Sequence, residues 1–340
     1  MIDRSIVFHG GEIMRSYVLI AALAAGFATA ALGDDAPKPQ AQQIAKAVWL
    51  IPGGILPDRQ PDGNTVIFAA PKGLIVMDTG RHLWHREAIK AFARDQHRDI
   101  AAIVNSHWHL DHVSGNPDLK RAYPNAKVYA SNAIRGALTG FLARSAAEAK
   151  PYLQDKTIPA ATREDIANDI ATYEAGNLLL PDVVIDKSAK RAIAGKSLQV
   201  NLAPNAATDG DVWLFDAASG VAAVGDLVTL PAPFLDTACS AGWSKALAQV
   251  SATAFKTVLP GHGAPMTRKD FSTYRTAFDG LITCSASSRD AKDCAAEWAS
   301  NVSTLIGSDD AVVKQAKGMA GYYVGDVLRK HNGNSADCKA

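Results

Sequence analysis

The sequence contains, at residues 107–112, the run His107-Trp108-His109-Leu110-Asp111-His112. This run follows an aliphatic stretch, residues 100–105, which we predict to be a buried strand. In the turn after a strand, two histidines two positions apart direct their imidazoles to one point, and the next aspartate and histidine face a second point nearby. Neutral imidazole and carboxylate are ligands that zinc favours. We therefore predict a metal site whose ligands from this run are His107, His109, Asp111 and His112.

Three further motifs accompany this run in a defined order. They are Asp78-Thr79-Gly80, Gly225-Asp226-Leu227 and Pro260-Gly261-His262-Gly263. Each motif is common on its own, but their order and spacing relative to the histidine run make the set specific. Together the four motifs resemble the signature of the metallo-β-lactamase superfamily, and the resemblance spans residues from about 65 to 265.

The resemblance implies both a fold and a ligand set. The fold is α/β, an αββα sandwich in which helices flank two mixed β-sheets. The Asp-Thr-Gly turn would buttress the metal loop, Asp226 would bridge two metals, and His262 would be the last ligand. The first site would consist of His107, His109 and Asp226. The second would consist of Asp111, His112, His262 and the shared Asp226.

One ligand that the family usually provides is absent from this chain. The family places a histidine just before a Thr-x-Gly-Asp segment, and the matching position within residues 205–211 is Ala207. We expect this change to weaken the first site. Three protein ligands and a water form a known catalytic zinc set, so we expect one or two zinc ions per chain. The sequence leaves open whether Asp209 or water replaces the missing histidine.

The chemistry that the resemblance implies is hydrolysis. Zinc lowers the pKa of bound water from 15.7 toward roughly 7 and polarises a carbonyl or phosphoryl oxygen. Asp111 is the candidate catalytic residue, because it is both a ligand and, by similarity, a group that orients the nucleophile or shuttles its proton. We expect a small-molecule substrate that is an ester, lactone, thioester or amide.

Two alternative functions remain open. A class B-type β-lactamase would fit an exported protein, although Cys or Ser commonly stands in that branch where this chain has Asp226. A non-catalytic protein that binds a metal or a small molecule would fit the ligand loss at Ala207. Turnover of a coloured cephalosporin tests the first alternative, and zinc content tests the second.

The chain outside the motifs predicts one domain over residues 45–340. Short β-branched runs between residues 48 and 78 predict strands, and strands return after residue 183. Strands followed by helices occur twice, which predicts two sheets between helical layers. The Ala-rich residues 132–178 predict a helical insertion that covers the site as a lid. Helices are also predicted from residue 269 to the C-terminus.

The N-terminus predicts export. Arg15 precedes an apolar run at residues 17–28, and Ala28-Thr29-Ala30 supplies small residues at the cleavage spacing, which is the pattern of a secretory signal peptide. We predict a signal peptide over residues 1–33, with translation starting at Met14, and an irregular linker over residues 34–44. The protein would then be periplasmic or secreted.

Cysteine content and charge limit the remaining possibilities. Four cysteines are compatible with two disulfides in an exported protein. The short separation favours Cys284–Cys294, which leaves Cys239–Cys338, although all three pairings remain open. A net charge of +1 gives no case for binding nucleic acid or an anionic membrane surface. We expect no membrane span after removal of the signal peptide, and the oligomeric state is not predicted.

Overall fold

The structure is a computed structural model that describes residues 38–339. The described strands are β1 (Gln42–Ala45), β2 (Val48–Ile51), β3 (Thr65–Ala70), β4 (Gly73–Met77), β5 (Ile100–Val104), β6 (Lys127–Ala130), β7 (Val183–Val184), β8 (Ala189–Ile193), β9 (Lys196–Pro204), β10 (Gly210–Asp216), β11 (Val221–Thr229) and β12 (Thr257–His262). The described α-helices are α1 (Leu83–Asp95), α2 (Leu110–Val113), α3 (Asn116–Ala122), α4 (Ala133–Thr139), α5 (Phe141–Ala149), α6 (Ala160–Glu174), α7 (Ser240–Ser251), α8 (Arg268–Ser285), α9 (Ala291–Asn301), α10 (Ser303–Ile306) and α11 (Asp310–Tyr322). Short 3₁₀ and π-helical turns follow several of these helices. The predicted signal peptide, including Met14, lies outside the described residues.

The strands form two mixed sheets. The first sheet has the order β1-β2-β3-β4-β5-β6-β7, antiparallel from β1 to β4 and parallel from β4 to β7. The second has the order β12-β11-β10-β9-β8, with β11 and β12 parallel and the other pairs antiparallel. Helices cover the outer face of each sheet, so the predicted αββα fold is confirmed.

Alternation of side chains along the strands produces these layers. On β3, Val66 and Phe68 pack in the core between the sheets, whereas Ile67 packs against helices on the outer face. Successive side chains of a strand point to opposite faces, and all three are buried, so the first sheet is covered on both sides. The second sheet contributes Leu214 and Leu259 to the same central core.

The predicted helical insertion is present. Helices α4, α5 and α6 lie between β6 and β7, within the predicted residues 132–178. Phe141 and Leu142 of α5 pack against Trp108 and Leu110 of the histidine run, so the insertion contacts the predicted site. Within residues 38–339, no helix combines the length and the apolar character that crossing a membrane requires.

The predicted linker is partly wrong. Residues 42–45 form β1, which pairs with β2 at the edge of the first sheet. Ile44 and Ala45 are half-buried against the central core. Because an edge strand gains its hydrogen bonds from one neighbour alone, the polar residues Gln42 and Gln43 are tolerated there, and they conceal the strand in the sequence.

Two disulfides connect the four cysteines. Cys284 bonds to Cys294, and Cys239 bonds to Cys338. This is the pairing that the short separation of Cys284 and Cys294 favours. The second bond attaches the end of the described chain to the start of α7.

Candidate metal centre

The predicted ligands converge at the carboxyl ends of parallel strands from both sheets. The histidine run follows β5, so that His107 and His109 lie in the loop and the next two ligands begin α2. The other two ligands come from the second sheet, where Asp226 lies within β11 and His262 ends β12. Carboxyl ends of neighbouring parallel strands meet at one edge, where α/β proteins commonly bind ligands.

The six side chains form two groups. Ligand atoms of His107, His109 and Asp226 lie within 4.8 Å of one another, and so do those of Asp111, His112 and His262. Asp226 lies between the groups, because its Oδ2 is 3.7 Å from His107 Nε2 and its Oδ1 is 3.2 Å from His112 Nε2. The structure therefore brings together all six predicted residues, with Asp226 in the bridging position.

The proton positions on His107 and His112 follow from Asp78. The Ser106 hydroxyl donates to Asp78 Oδ2 at 2.7 Å, so its oxygen accepts from His107 Nδ1 at 2.8 Å. His112 Nδ1 donates to the same Asp78 oxygen at 2.9 Å. Both histidines therefore keep Nε2 unprotonated in their neutral form and directed at the ligand groups. Such carboxylate partners fix the orientation of metal-binding histidines.

A third hydrogen-bond relay orients His109. The Thr237 hydroxyl donates to the carbonyl oxygen of Ala207 at 2.8 Å, so its oxygen accepts from His109 Nε2 at 3.0 Å. His109 is left with Nδ1 as its unprotonated nitrogen, and this atom is available as a ligand. Thr237 is a site residue that the sequence did not predict, because it lies 128 positions after His109 in an unremarkable loop.

The centre offers imidazole and carboxylate donors, which suit a divalent metal ion such as zinc. His107 Nε2 is buried and has no hydrogen-bond partner among the described residues. A buried polar atom without a partner costs free energy, and a bound cation would remove that cost. The backbone also leaves room for the ligands, since a Cβ on Gly261 would lie 1.9 Å from Asp226 Oδ1.

Burial and charge set the protonation of the two groups differently. Burial lowers the pKa of His109 to about 4 and that of His107 well below its usual value, so both are neutral. Burial also disfavours charge on His112, but the nearby carboxylates, led by Asp226 and Asp111, outweigh it and raise the pKa of His112 well above its usual value. The pKa of His262 is raised for the same reason.

Ala207 occupies the position where the family usually has a histidine ligand, and its side chain packs in the hydrophobic core. Ala207 is buried in the core beneath the second sheet's helices, and Asp209 pairs instead with Lys339. Asp209 therefore does not take the place of the missing histidine in this structure. The first group consists of three side chains, as predicted from the sequence.

A network of buried charges connects the centre to the insertion. Arg81 lies 3.8 Å from Asp111 and pairs with Asp169 of α6. Next to it, His82 Nδ1 contacts Asp62 Oδ2 at 2.7 Å, and its Nε2 lies 3.1 Å from Asp165 Oδ1, also on α6. The sequence carries a signal that could have predicted this network: Arg81-His82 directly follows Asp-Thr-Gly, and two aspartates lie four positions apart on one helix.

A cavity opens beside the ligand groups. Its volume is about 80 Å³, and it is lined by four of the six candidate ligand residues, His109, Asp111, Asp226 and His262. Its remaining wall is mainly apolar. The apolar lining includes Trp108, Leu110, Phe141, Leu142, Phe234 and Met319. A pocket with this composition suits a substrate whose reacting group lies at the ligands and whose remainder is apolar.

Curated relatives match short parts of the chain. An atrochrysone carboxyl ACP thioesterase from Aspergillus chevalieri is 31% identical over 105 residues, which are 29% of this chain and 34% of that protein. A hydroxyacylglutathione hydrolase from a Synechococcus species is 48% identical over 42 residues, which are 12% of this chain and 17% of that protein. The chain thus spans about a third or less of the length of these two relatives.

Solved structures and a family model cover more of the chain. A metallo-beta-lactamase family protein from Thermus thermophilus superposes with a TM-score of 0.57 at 14% identity, covering 85% of this chain and 95% of that one. At this identity the likeness shows a shared fold. The family model described as the metallo-beta-lactamase superfamily matches residues 59–262, which is more than half of the chain. This chain therefore belongs to the metallo-β-lactamase superfamily.

Proposed function

We propose that the protein is a zinc-dependent hydrolase of an ester, lactone, thioester or amide. The observation that carries the proposal is the pair of three-residue groups, with Asp226 reaching from the first toward the second. In their neutral forms, His107, His109 and His112 each keep one unprotonated nitrogen, because the other nitrogen of each ring is hydrogen-bonded. The proposed ligands are His107, His109 and Asp226 in the first group, and Asp111, His112 and His262 with Asp226 in the second. One or two zinc ions per chain fit this set.

The side chains around the groups define a reaction site. Zinc held there supplies a water that ionises near neutral pH and a Lewis acid for the carbonyl oxygen. Asp111 Oδ2 is 3.0 Å from His262 Nε2, and Asp111 Oδ1 faces Arg81. This position suits Asp111 for orienting the attacking water and accepting its proton. The apolar wall around Trp108 and Phe234 limits the access of bulk water.

The lining of the cavity favours substrates with an apolar acyl group. Ring contacts place Phe234 5.0 Å from His109 and Phe141 5.5 Å from Trp108, so aromatic surface extends to the ligands. The relatives named as a thioesterase and as a hydroxyacylglutathione hydrolase support the thioester as the substrate class within the proposed range.

The proposal predicts that turnover depends on the second group. In His262→Ala, loss of a ligand should lower kcat/KM for an activated ester by more than about a hundredfold, beyond the 10- to 100-fold effect of changing groups that only orient ligands. Exposed His97 provides the matched control, since His97→Ala should retain activity. Hydrolysis of p-nitrophenyl and acyl-thioester substrates by zinc-loaded protein measures both variants. Full turnover by His262→Ala would refute the assignment.

The same assays separate the alternatives. Rapid turnover of a coloured cephalosporin by zinc-loaded protein, without turnover of esters or thioesters, would make the protein a β-lactamase. Zinc binding without turnover of any of these substrates would favour a non-catalytic binding protein.

We also propose that the protein is periplasmic or secreted. The two disulfides support this location, because such bonds persist in oxidising compartments. Cell fractionation with sequencing of the mature N-terminus tests it. A mature chain beginning between residues 31 and 34 agrees with the proposal, and an uncleaved cytoplasmic chain contradicts it.

A further inference from the structure

A second cavity lies inside the helical insertion. Its volume is about 30 Å³, and it lies between α5 and α6. Gln60, Leu110 and Leu142 contribute to the walls of both this cavity and the one beside the ligands. The two cavities are therefore adjacent and share these three residues in their walls.

The walls of the second cavity are suited to an aliphatic occupant. Ala146, Ile166 and Ile170 form a small buried cluster of their own within the insertion. The one charged side chain in the wall, Asp169, is paired with Arg81. An ionic group entering this space would lose water without finding a free counter-charge, whereas a hydrocarbon chain would gain from leaving water.

We propose that the two cavities together form one binding site for an unbranched acyl chain. The reacting carbonyl lies at the ligand groups, the first methylenes contact Trp108 and Phe141, and the distal part of the chain passes Leu142 into the space between α5 and α6. The substrate class is then a straight-chain acyl ester or thioester. This inference rests on the proposed hydrolase function for the reaction, but the chain site itself is a binding property.

Leu142 and Ala146 have distinct roles in this site. Both belong to α5, one turn apart, and their side chains face the same cavity. Leu142 stands between the two spaces, so that a smaller side chain there widens the passage. Ala146 lines the second space, so that a larger side chain there fills it. The two substitutions therefore change the accepted chain length in opposite directions.

Binding is tested separately from turnover. Isothermal titration of zinc-incubated mature protein with 1-hexanol, 1-octanol and 1-decanol measures chain binding by ligands that cannot be hydrolysed. Affinity should rise by up to about fourfold per added methylene, since each buried methylene adds a constant increment of hydrophobic stabilisation. Ala146→Phe should remove this increase for the longer alcohols. Ala147→Phe is the matched control, because Ala147 is exposed on the same helix.

Turnover of esters with different chain lengths then tests whether the reacting carbonyl lies at the candidate metal groups and the distal chain in the second cavity. With p-nitrophenyl esters from acetyl to hexadecanoyl, Ala146→Phe should lower the ratio of long-chain to short-chain kcat/KM by about fifteenfold for two excluded methylenes. Leu142→Ala should shift the optimum to longer chains, and thermal unfolding of each variant confirms that it is folded.

Two results would overturn the chain site. The first is an alcohol affinity that does not depend on chain length in the wild type. The second is an Ala146→Phe variant that binds 1-decanol as the Ala147→Phe variant does. If alcohols bind as expected while no ester, lactone, thioester or amide is hydrolysed, the chain site stands and the hydrolase proposal fails.

Discussion

At the residue scale, each histidine of the run is held by a hydrogen bond on its non-ligand nitrogen. Asp78 accepts from His112 directly and holds His107 through Ser106. Thr237 holds His109 and is itself held by the carbonyl of Ala207. Ala207 stands where the family usually has a histidine ligand. Its carbonyl oxygen still helps to orient His109 of the first group, because it holds the Thr237 hydroxyl.

This relay predicts a role for the Thr237 hydroxyl in metal affinity. Thr237→Val preserves the shape of the side chain but removes the acceptor for His109 Nε2. The affinity of the first group for zinc should fall by about 10- to 100-fold, as for other partners of metal-binding histidines. Competition with a chromophoric zinc chelator measures it. Thr237→Ser should retain the wild-type affinity, and a Thr237→Val variant with unchanged affinity would exclude the relay.

The grouping of the candidate ligands was predictable from the sequence, but their hydrogen-bond partners were only partly predictable. Four candidate ligands lie within one run of six residues, and Asp226 and His262 lie in motifs whose order is informative. Thr237 could not be predicted, because its role depends on a contact between segments 128 positions apart. A threonine in a loop carries no local pattern that distinguishes it from others.

At the scale of elements, helix α6 is tied to the turn after β4 by buried charges. Asp165 and Asp169 lie one turn apart on α6 and contact His82 and Arg81. Arg59 also pairs with Asp165, at 2.6 Å. Since α6 forms one wall of the second cavity, these contacts hold that wall against the turn after β4.

His82 makes this attachment sensitive to pH. The groups that face His82 are Asp62, Asp165, His85, Arg59 and Arg86. Burial disfavours the charge on His82, but Asp165 and Asp62 outweigh it and raise its pKa above the usual value of 6.5. Stability from the protonated His82 is therefore fully present below pH 6.5 and is lost as the pH rises through the raised pKa.

The expected result is a loss of stability above pH 6.5 that depends on His82. Wild-type protein should show a lower free energy of unfolding at about pH 9 than at about pH 6, whereas His82→Gln should show a smaller difference. Urea denaturation with hydrogen exchange of α6 amides measures both effects, with His97→Gln as the exposed control. An equal pH dependence in His82→Gln and wild type would contradict the role of this histidine.

Asp62 belongs to the same network, but its contribution to stability depends on pH in the opposite direction to that of His82. The pKa of Asp62 is lowered to about 2, against the effect of burial, by its hydrogen bond to His82 and the nearby histidine charges. Its contribution is present above the unfolded value of 3.8 and is lost as the pH falls toward 2. A shift of this size corresponds to roughly 2 kcal/mol. The Asp62→Asn variant should therefore lose less stability than the wild type as the pH falls from 3.8 to about 2. An acid denaturation curve with the same midpoint and slope as that of the wild type would argue against this role of Asp62.

The sequence predicted the insertion as helical but could not show where its helices attach. The Ala-rich composition of residues 132–178, together with the helical spacing of apolar residues within 141–149, identifies helices. The ion pairs of α6 join it to residues about 80 to 100 positions earlier, as in the hydrogen bond between Arg81 and Asp169 across 88 positions. Charged residues on a helix face usually contact solvent, so the pattern alone does not identify them as buried partners.

At the scale of the whole molecule, the packing of the two sheets and the Cys239–Cys338 disulfide determine where the candidate metal centre forms. Asp78 and the histidine run come from the first sheet, and Asp226 and His262 come from the second. The site therefore forms only when the sheets pack together. Cys239, two residues after Thr237, is bonded to Cys338 across 99 positions and fixes the loop near His109.

The disulfides should contribute unequally to stability. In the chain-entropy description, a bond closing a loop of about 100 residues contributes about 4.7 kcal/mol, and one closing about 15 residues contributes about 3 kcal/mol. The Cys239→Ser/Cys338→Ser variant should therefore lose more stability than the Cys284→Ser/Cys294→Ser variant, whose cysteines are 10 positions apart. Guanidinium denaturation of the oxidised proteins compares them. The reverse order would show that loop closure does not dominate.

Zinc content tests the central proposal most directly. Purified mature protein is equilibrated with excess zinc, passed through gel filtration and analysed by mass spectrometry for metal, beside a His107→Ala/His262→Ala variant that lacks a ligand in each group. We predict one or two zinc ions per wild-type chain and less than half of the wild-type content in the variant. A wild-type protein that retains no zinc after this treatment would contradict the proposed metal centre.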